Sequence, residues 1–402
     1  MAVSGNWSTQ DFVTDERVKD WSKALNILIP NISRFTTLQS KEATGPRLTS
    51  AEFNVWEQDD LTTTDALAEA LDTSETGVDV VDGTKFRAGD IIQIETQTEN
   101  LFEQMYVVSI STNTLTVIRG FGGTAGTACD TGTPIMIIGN VSPEDSTAQT
   151  PKAGTLVKRT NYAEIFRIGA SSSNTALYEN TRPEESAGAF HRRSLMFALR
   201  RVKFHMEGTA FFGQAKESTA VTPVIRRTGG LHEFISSANK FSVAGPVSFE
   251  HINALAGLVY DQGTPELDGA VLFIGPGIRR RLSEIATSAG TIRNDEQRSN
   301  KWGFRVEKIE TPWGEIPMVQ SSQLRGSGGA NITRGATGFD LHGDKAFLIK
   351  LPLFKLRWAR PMKLYTDIQA NDRDGKLDEY RGEYGHERRC PLAHAMFYGA
   401  NG

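Results

Sequence analysis

Three residues near the end of the chain have a spacing that suits a metal ion. His386, Cys390 and His394 are four residues apart, so a continuous helix would place these zinc-binding residue types on one face. Pro391 lies within the span and disfavours such a helix, and the nearby sequence offers no fourth ligand. Packing residues fit better, so we expect neither a metal site nor a cofactor.

A glycine-rich segment, residues 119–125, superficially matches the fingerprint of dinucleotide-binding proteins. In that fingerprint the glycines join a strand to a helix whose N-terminus binds phosphate. A strand is predicted before the segment, but residues 126–132 lack a helical pattern, so a glycine-rich hairpin loop is the better interpretation. The motifs of serine hydrolases, phosphate-binding loops and zinc proteases are also missing from the sequence. The sequence therefore does not predict an enzyme.

Two arginine clusters are more informative. Their members are Arg192, Arg193, Arg200 and Arg201 in the first cluster and Arg279, Arg280 and Arg281 in the second. The first cluster can pair with an acidic neighbour, lie near DNA phosphates, or simply face solvent. The second follows a predicted strand and turn, where a helix N-terminus can bind an anion in an α/β enzyme. Against that enzyme, no general base or nucleophile lies at a recognisable spacing.

An acidic stretch provides the opposite charge. Residues 57–84 contain nine acidic residues and no lysine or arginine, which indicates a solvated acidic face or a patch that attracts a basic partner surface. A tryptophan precedes this stretch, and two more lie in an N-terminal arm that packs poorly on itself. We expect the arm to lie on another surface, such as a neighbouring subunit. The predicted interface residues outside the arginine clusters are Trp7, Trp21, Trp56, Asp59 and Asp60.

One long helix must carry the first arginine cluster. Residues 181–184, Thr-Arg-Pro-Glu, have the features of a helix start, and the helical pattern continues to Gly213. Two apolar series run along it, one of phenylalanines every seven residues and one with spacings of three and four. The series are Phe190, Phe197, Phe204 and Phe211, and Leu195, Leu199, Val202, Met206 and Ala210. Together they predict a helix over 181–213 with a broad apolar face.

The regions on either side of this helix have different patterns. Residues 76–140 contain five short predicted strands separated by turn signals, which is typical of a small barrel or sandwich. Downstream, Ser248 is the predicted cap of a helix over 249–260, an apolar strand covers 270–274, and a helix follows over 278–286. A hairpin is predicted within 302–320.

The composition is that of a soluble globular protein. The 402 residues are 39% hydrophobic and 23% charged, with a formal net charge of −4, and the length suits two or three compact regions. Cys129 and Cys390 are the only cysteines, which is consistent with a reducing cytosol. No apolar run is long enough to span a bilayer, so we expect no membrane partner.

Five short segments together resemble a subgroup of tailed-phage major capsid proteins. They are residues 55–59, 160–166, 225–231, 248–260 and 313–319, which occur in this order along residues 50–375. The order and spacing are more specific than any single motif. The resemblance implies an α+β class with the Hong Kong 97-type capsid fold: an N-arm, an extended loop, a peripheral domain with a long spine helix, and an axial domain.

The resemblance also implies domain limits. In this scheme residues 1–35 form the N-terminal arm, 36–75 and 141–172 the extended loop region, and 76–140 an inserted all-β module. Residues 173–239 form the peripheral domain with spine helix 181–213, 240–325 the axial domain, and 326–402 the return to the peripheral domain and the C-terminal segment.

The implied function is a structural subunit that self-assembles into pentamers and hexamers of an icosahedral head around double-stranded DNA, which it contacts non-specifically. The implied partners are copies of itself and scaffolding, portal and decoration proteins. The location is the virion, after assembly in the host bacterial cytoplasm. Two alternatives remain: an encapsulin-like cellular shell, which the β module disfavours, and an α/β anion-binding enzyme that uses Arg279, Arg280 and Arg281.

Overall fold

The computed structural model describes residues 33–58, 63–95, 102–144, 156–178, 188–220, 223–262, 267–288, 298–299, 306–324 and 343–401. The chain forms two compact units, one from residues 1–55 and 159–402 and the other from residues 56–158. The helices are α1 (Arg34–Glu42), α2 (Asn174–Tyr178), α3 (Ala189–Phe212), α4 (Leu231–Phe234), α5 (Phe249–Gln262) and α6 (Pro276–Ser288).

The strands of the first unit and of its boundary with the second are β1 (Glu52–Gln58), β8 (Leu156–Tyr162), β9 (Glu164–Ser173), β10 (Lys216–Ser218), β11 (Ile225–Arg227), β12 (Lys240–Pro246), β13 (Ala270–Ile274), β14 (Arg298–Ser299), β15 (Val306–Thr311), β16 (Gly314–Gln320), β17 (Ala346–Lys350), β18 (Phe354–Tyr365), β19 (Gly375–Arg388) and β20 (Ala395–Asn401). The second unit contains β2 (Thr64–Ala66), β3 (Gly77–Asp79), β4 (Asp90–Glu95), β5 (Phe102–Ser111), β6 (Thr114–Ile118) and β7 (Pro134–Asn140).

Helix α3 is the predicted long helix, but it is shorter than predicted. It begins at Ala189 because Gly188 has a φ of 77°, a left-handed conformation that does not continue a right-handed helix. The predicted start at Thr181 lies outside the described residues. The 24 residues of α3 correspond to a length of about 36 Å.

The two apolar series on α3 have different environments. Val202 and Met206, from the series with spacings of three and four, are buried. In the phenylalanine series Phe211 is fully buried, but Phe190 is 39% exposed and Phe197 is 46% exposed. The predicted broad apolar face is therefore buried at Phe211 but partly exposed to solvent at the first two phenylalanines. A seven-residue repeat drifts by about 20° per heptad on a straight helix, so the series leaves the face on which Phe211 packs.

A seven-stranded mixed sheet forms the largest part of the first unit, in the order β12-β20-β17-β13-β16-β15-β14. Strand β13 is buried at all five positions. Its Leu272 and Ile274 pack in the core that includes α5 and α6, whereas Val271 and Phe273 pack in the core that includes α1 and the end of α3. Because both faces are covered, the strand is continuously apolar.

The segment predicted to return to the peripheral domain, residues 326–402, contributes to two sheets. Strands β17 and β20 belong to the seven-stranded sheet, with Phe347 of β17 opposite Phe273 of β13. Strands β18 and β19 instead form a three-stranded sheet with β9, whose Leu356 and Tyr384 pack against Val202 and Met206 of α3. The predicted limit at residue 325 therefore does not coincide with a sheet boundary.

The second unit is a six-stranded antiparallel sheet in the order β2-β7-β4-β5-β6-β3. Its two edges meet, because Leu67 and Val80 form an antiparallel bridge and the Ala68 amide donates to the Asp79 carbonyl at 2.8 Å. The sheet closes into a small barrel around its own apolar core. Five of the strands correspond to those predicted over 76–140, and β2 adds a sixth before that range.

Candidate functional site

The solvent face of α3 combines aromatic rings with cations. Phe190, Arg193, Phe197 and Arg201 follow one another at spacings of three and four, so they share one side of the helix. The guanidinium carbon of Arg193 lies 5.6 Å from the centroid of the Phe190 ring, within the range of a cation–π contact. Arg201 is exposed. This surface, here called the α3 outer face, contains two of the predicted interface arginines.

The other predicted interface residues are distributed more widely. Arg192 is exposed and Arg200 is half-buried on α3, and Trp56 is 64% exposed near the end of β1. The residues that lie outside the described ranges are Trp7, Trp21, Asp59 and Asp60. Within the acidic stretch, Asp65 forms an ion pair with Lys85 at 2.8 Å, so part of its charge is balanced locally.

The second arginine cluster lies on α6 and bonds to nearby side chains. Arg279 donates to the Oε1 atom of Gln320 at 3.1 Å. Arg280 and Arg281 lie 3.4 and 3.5 Å from the carboxylate of Glu284. Helix α6 begins at Pro276, so the cluster starts at its fourth residue. These contacts stabilise the helix and do not assemble a shared anion site at its N-terminus.

The histidines considered as metal ligands pack inside the first unit. The Nδ1 atom of His386 lies 3.2 Å from Nε2 of Gln39, and burial lowers the pKa of His386 to about 3. His394 accepts the amide hydrogen of Lys350 at 3.2 Å, and burial lowers its pKa to about 4. Among the described residues, no group of three or more histidine, cysteine or acidic side chains could hold a metal ion.

The glycine-rich segment surrounds a buried ion pair that sequence reasoning missed. Arg119 donates from Nε and Nη2 to the two carboxylate oxygens of Glu103, each at 2.7 Å. The amides of Gly120 and Thr127 donate to the same carboxylate at 3.0 and 2.9 Å. Burial alone would raise the pKa of Glu103, but the bonds from Arg119, Thr127 and Gly120 together lower it. The segment is therefore a structural loop.

Sequence reasoning also missed an apolar surface on the outside of the barrel. Ile91 of β4 pairs with Tyr106 of β5, which pairs with Ile118 of β6, so the three residues lie in one row. Ile118 is 52% exposed, and on β7 Met136 is 51% exposed. The sequence contained a sign of this surface. Every second residue of β6 and β7 points outward, and these outward positions include isoleucine and methionine as well as threonine. We call this surface the barrel outer face.

Two buried polar clusters connect α3 by hydrogen bonds to other elements of the same chain. The first is centred on Glu207, which accepts from Ser321 Oγ at 2.5 Å through Oε1, while Oε2 has no hydrogen-bond partner. Burial is the largest influence and raises the pKa of Glu207 to about 7, although the bond from Ser321, the amides of Phe35 and Thr36 and the charge of Arg34 act in the opposite direction. This carboxyl group joins α3 to the start of α1.

The second cluster connects the start of α3 to two strands. His191 Nδ1 lies 2.7 Å from Ser172 Oγ of β9, and its Nε2 lies 2.8 Å from Asp378 Oδ2 of β19. The residue types match those of a hydrolase triad. All three residues are buried, however, with Ser172 only 7% exposed, so the hydroxyl is not presented to a substrate. The arrangement positions the helix.

Apolar and charged side chains lie together on the described outer faces, which is typical of a protein that assembles with others. The sequence profile of the SU10 major capsid protein family matches residues 5–401. This match spans nearly the whole chain, and the chain belongs to that family.

Solved structures provide distant likenesses. The capsid of a native GTA particle is 8% identical, with a TM-score of 0.49, and the match covers 99% of this chain and 100% of that one. The mature capsid of bacteriophage PhiM1 is 8% identical, with a TM-score of 0.43 and coverage of 95% and 91%. An encapsulin from Synechococcus elongatus PCC 7942 is 9% identical, with a TM-score of 0.43 and coverage of 62% and 78%. No curated protein matches.

Family membership confirms the function predicted by the resemblance at the level of the protein class. The chain is a structural shell subunit of a phage head, and its described helices and strands are of the predicted α+β class. It is a virion protein that associates with copies of itself. None of the helices in the described ranges has the length and apolar character that a membrane span requires.

Proposed function

We propose that copies of this chain assemble into pentamers and hexamers, which together close an icosahedral head around double-stranded DNA. The match of the capsid family to residues 5–401 carries the proposal. Each subunit of such a shell is held by several neighbours at once, so single contacts can be weak while the whole particle is stable. The role is structural, without catalysis.

The predicted interface residues indicate which contacts could join neighbouring subunits. We propose that the α3 arginines pair with the acidic stretch of a neighbouring subunit and that Trp7 and Trp21 place the N-terminal arm on a neighbour. Where arginines instead face the interior of the head, they contact DNA phosphates, and such contacts weaken as salt concentration rises. Scaffolding, portal and decoration proteins complete the head, which assembles in the bacterial cytoplasm.

Two other functions are less well supported. An encapsulin-like shell would enclose a protein cargo instead of DNA, so the contents of purified particles distinguish it from a phage head. An anion-binding enzyme would need Arg279, Arg280 and Arg281 at a common site, but these side chains contact Gln320 and Glu284.

Assembly is the direct test. The protein is expressed with the neighbouring head genes of its genome, and the products are examined by sedimentation velocity and negative-stain electron microscopy. We expect closed shells, or rings of five and six subunits. A chain that remains monomeric in the presence of those genes would contradict the proposal.

A further inference from the structure

The barrel outer face exposes more apolar surface than the barrel needs for its own folding. Its core is already filled by inward residues, including Ile92, Met105 and Leu115, which are all fully buried. Outside, Ile118 of β6 and Met136 and Ile138 of β7 remain about half exposed, and the row of Tyr106 and Ile91 lies between these two strands. Several large apolar side chains exposed on one side of a sheet indicate an interaction site.

This unit is also strongly acidic, whereas the rest of the chain is basic. Residues 56–158 contain sixteen acids and five bases, a formal charge of −11, which leaves +7 for the remainder of the chain. Two of the five bases are engaged within the unit, Arg119 with Glu103 and Lys85 with Asp65. Two copies of the chain can therefore attract each other through unlike units.

We propose that the barrel outer face docks on a second copy of this chain, against the α3 outer face of that copy. The proposal rests on the assembly proposed above and names the surfaces that meet. The α3 outer face offers two exposed phenylalanine rings for the isoleucine and methionine side chains. Arg193 lies over the Phe190 ring, and Arg201 follows Phe197 by four residues on the same side of the helix. It therefore combines an apolar surface with the positive charge that an acidic barrel attracts.

The surrounding charges favour this pairing over pairing of two barrels. Two barrel outer faces would bring two acidic units together, and like charges at an interface are unfavourable. Helix α3, by contrast, carries five arginine and lysine residues against a single acid, Glu207, which is buried. Apolar contact supplies affinity at the centre, and charge selects the partner.

A photo-crosslinker at residue 118 identifies the partner. Ile118 is replaced by benzoylphenylalanine, and equal amounts of isotopically labelled and unlabelled protein are assembled with the other head proteins and irradiated. We expect crosslinked peptides that join residue 118 of one copy to residues 189–212 of another, with mixed isotope labels. Crosslinks within one copy, crosslinks to a different head protein, or an absence of crosslinks in complete particles would overturn the proposal.

A pair of conservative substitutions tests the energetic contribution. Ile118→Thr combined with Ile138→Thr removes apolar surface while keeping residues that favour strands. Val81→Thr is the control, because Val81 is 60% exposed on the same unit but lies at the seam between β2 and β3. We expect the double variant to yield roughly tenfold fewer particles at a fixed subunit concentration and the control to match the parent protein.

Three outcomes separate the two proposals. Loss of particles in the double variant, with unchanged hydrogen exchange across 102–144, supports docking through this face. Normal particle yield from the double variant overturns the docking proposal and leaves the capsid proposal intact. A parent chain that forms no particles with its partner genes fails the capsid proposal itself.

Discussion

Two fully buried glutamates, one in each unit, have opposite electrostatic situations. Glu103 in the barrel has a lowered pKa, whereas the pKa of Glu207 on α3 is raised to about 7. Burial raises the pKa of both. The difference comes from their side-chain partners. Glu103 receives a two-point bond from the Arg119 guanidinium, whereas Glu207 receives a bond from the neutral hydroxyl of Ser321 and has one oxygen without a hydrogen-bond partner.

The comparison shows that burial alone does not determine the charge of an acid. A guanidinium group with matched geometry keeps Glu103 ionised in an apolar core. At Glu207 the compensation is incomplete, so the ionised form is costly near neutral pH. We therefore expect the barrel to be insensitive to pH in the neutral range and the junction of α1 with α3 to respond to it.

The largest effect should follow from breaking the barrel ion pair. Arg119→Met leaves Glu103 buried without its cation, and such a change costs roughly 3–5 kcal/mol of stability. Hydrogen exchange of peptides from 102–144, followed in increasing urea, measures the loss. The double variant Arg119→Met with Glu103→Met should recover much of it, because both charges are then removed. An Arg119→Met protein as stable as the parent would show that the pair does not hold the loop.

The next effect concerns Glu207 and its dependence on pH. A raised carboxyl pKa means that the native state retains a proton which the unfolded chain releases. Protonated Glu207 therefore contributes its full amount to the free energy of unfolding below the ordinary pKa of 4.5, and this contribution is lost as pH rises to about 7. At about 1.4 kcal/mol per pH unit the loss is roughly 3 kcal/mol.

The substitution Glu207→Gln should abolish this slope. Urea unfolding of the parent and the variant, measured from pH 4 to pH 8, gives the difference in free energy of unfolding at each pH. Glu250→Gln, at an exposed position on α5, is the control and should keep the parent slope. A Glu207→Gln protein with the parent slope would mean that this carboxyl is ionised throughout.

These two glutamates also show what the sequence could reveal. Glu103 lies two residues before Met105 and four before Val107, so the three side chains are on the same, inward side of β5. The alternation of the sequence therefore indicated an acid on the core side of this strand. Glu207 lies next to Met206 on the buried side of α3. Neither pattern identifies the partner, because Arg119 and Ser321 reach these sites only through tertiary folding.

The elements themselves were more predictable than their environments. Helix α5, strand β13, helix α6 and the β15–β16 hairpin occur where periodicity and turn residues predicted them. For Phe190 and Phe197 the sequence indicates only the drift of the seven-residue repeat away from the face of Phe211. It does not show whether a second core or solvent lies on the side to which the repeat drifts. The predicted domain limits and interface residues stay predictions.

A smaller effect should follow from Asp378→Asn in the cluster at the start of α3. Burial would raise the pKa of Asp378, but the Asp367 amide, His191 and Lys376 lower it below its ordinary value of 3.8. Ionised Asp378 therefore contributes to the free energy of unfolding above pH 3.8, and this contribution is lost as pH falls through the pKa that Asp378 has in the folded protein. We expect a loss of roughly 1–3 kcal/mol at pH 7, seen as faster hydrogen exchange in residues 189–196. Unchanged exchange there would contradict a fastening role.

The smallest effect should come from the exposed Arg280 of α6. Arg280→Ala removes an ion pair to Glu284 whose two side chains are 66% and 51% exposed, so the change in stability should stay within about 0.5 kcal/mol. Calorimetry of the purified protein measures it. A much larger loss would show that this side chain has a buried partner in the folded subunit.

The most direct test of the account is a cryo-electron microscopy reconstruction of heads produced from this gene and its neighbours. We expect an icosahedral shell in which this chain forms closed rings of five and six subunits, with each barrel outer face against the α3 outer face of a neighbouring copy. A shell built from another protein, with this chain absent from its rings, would contradict the assignment of the chain as the shell subunit.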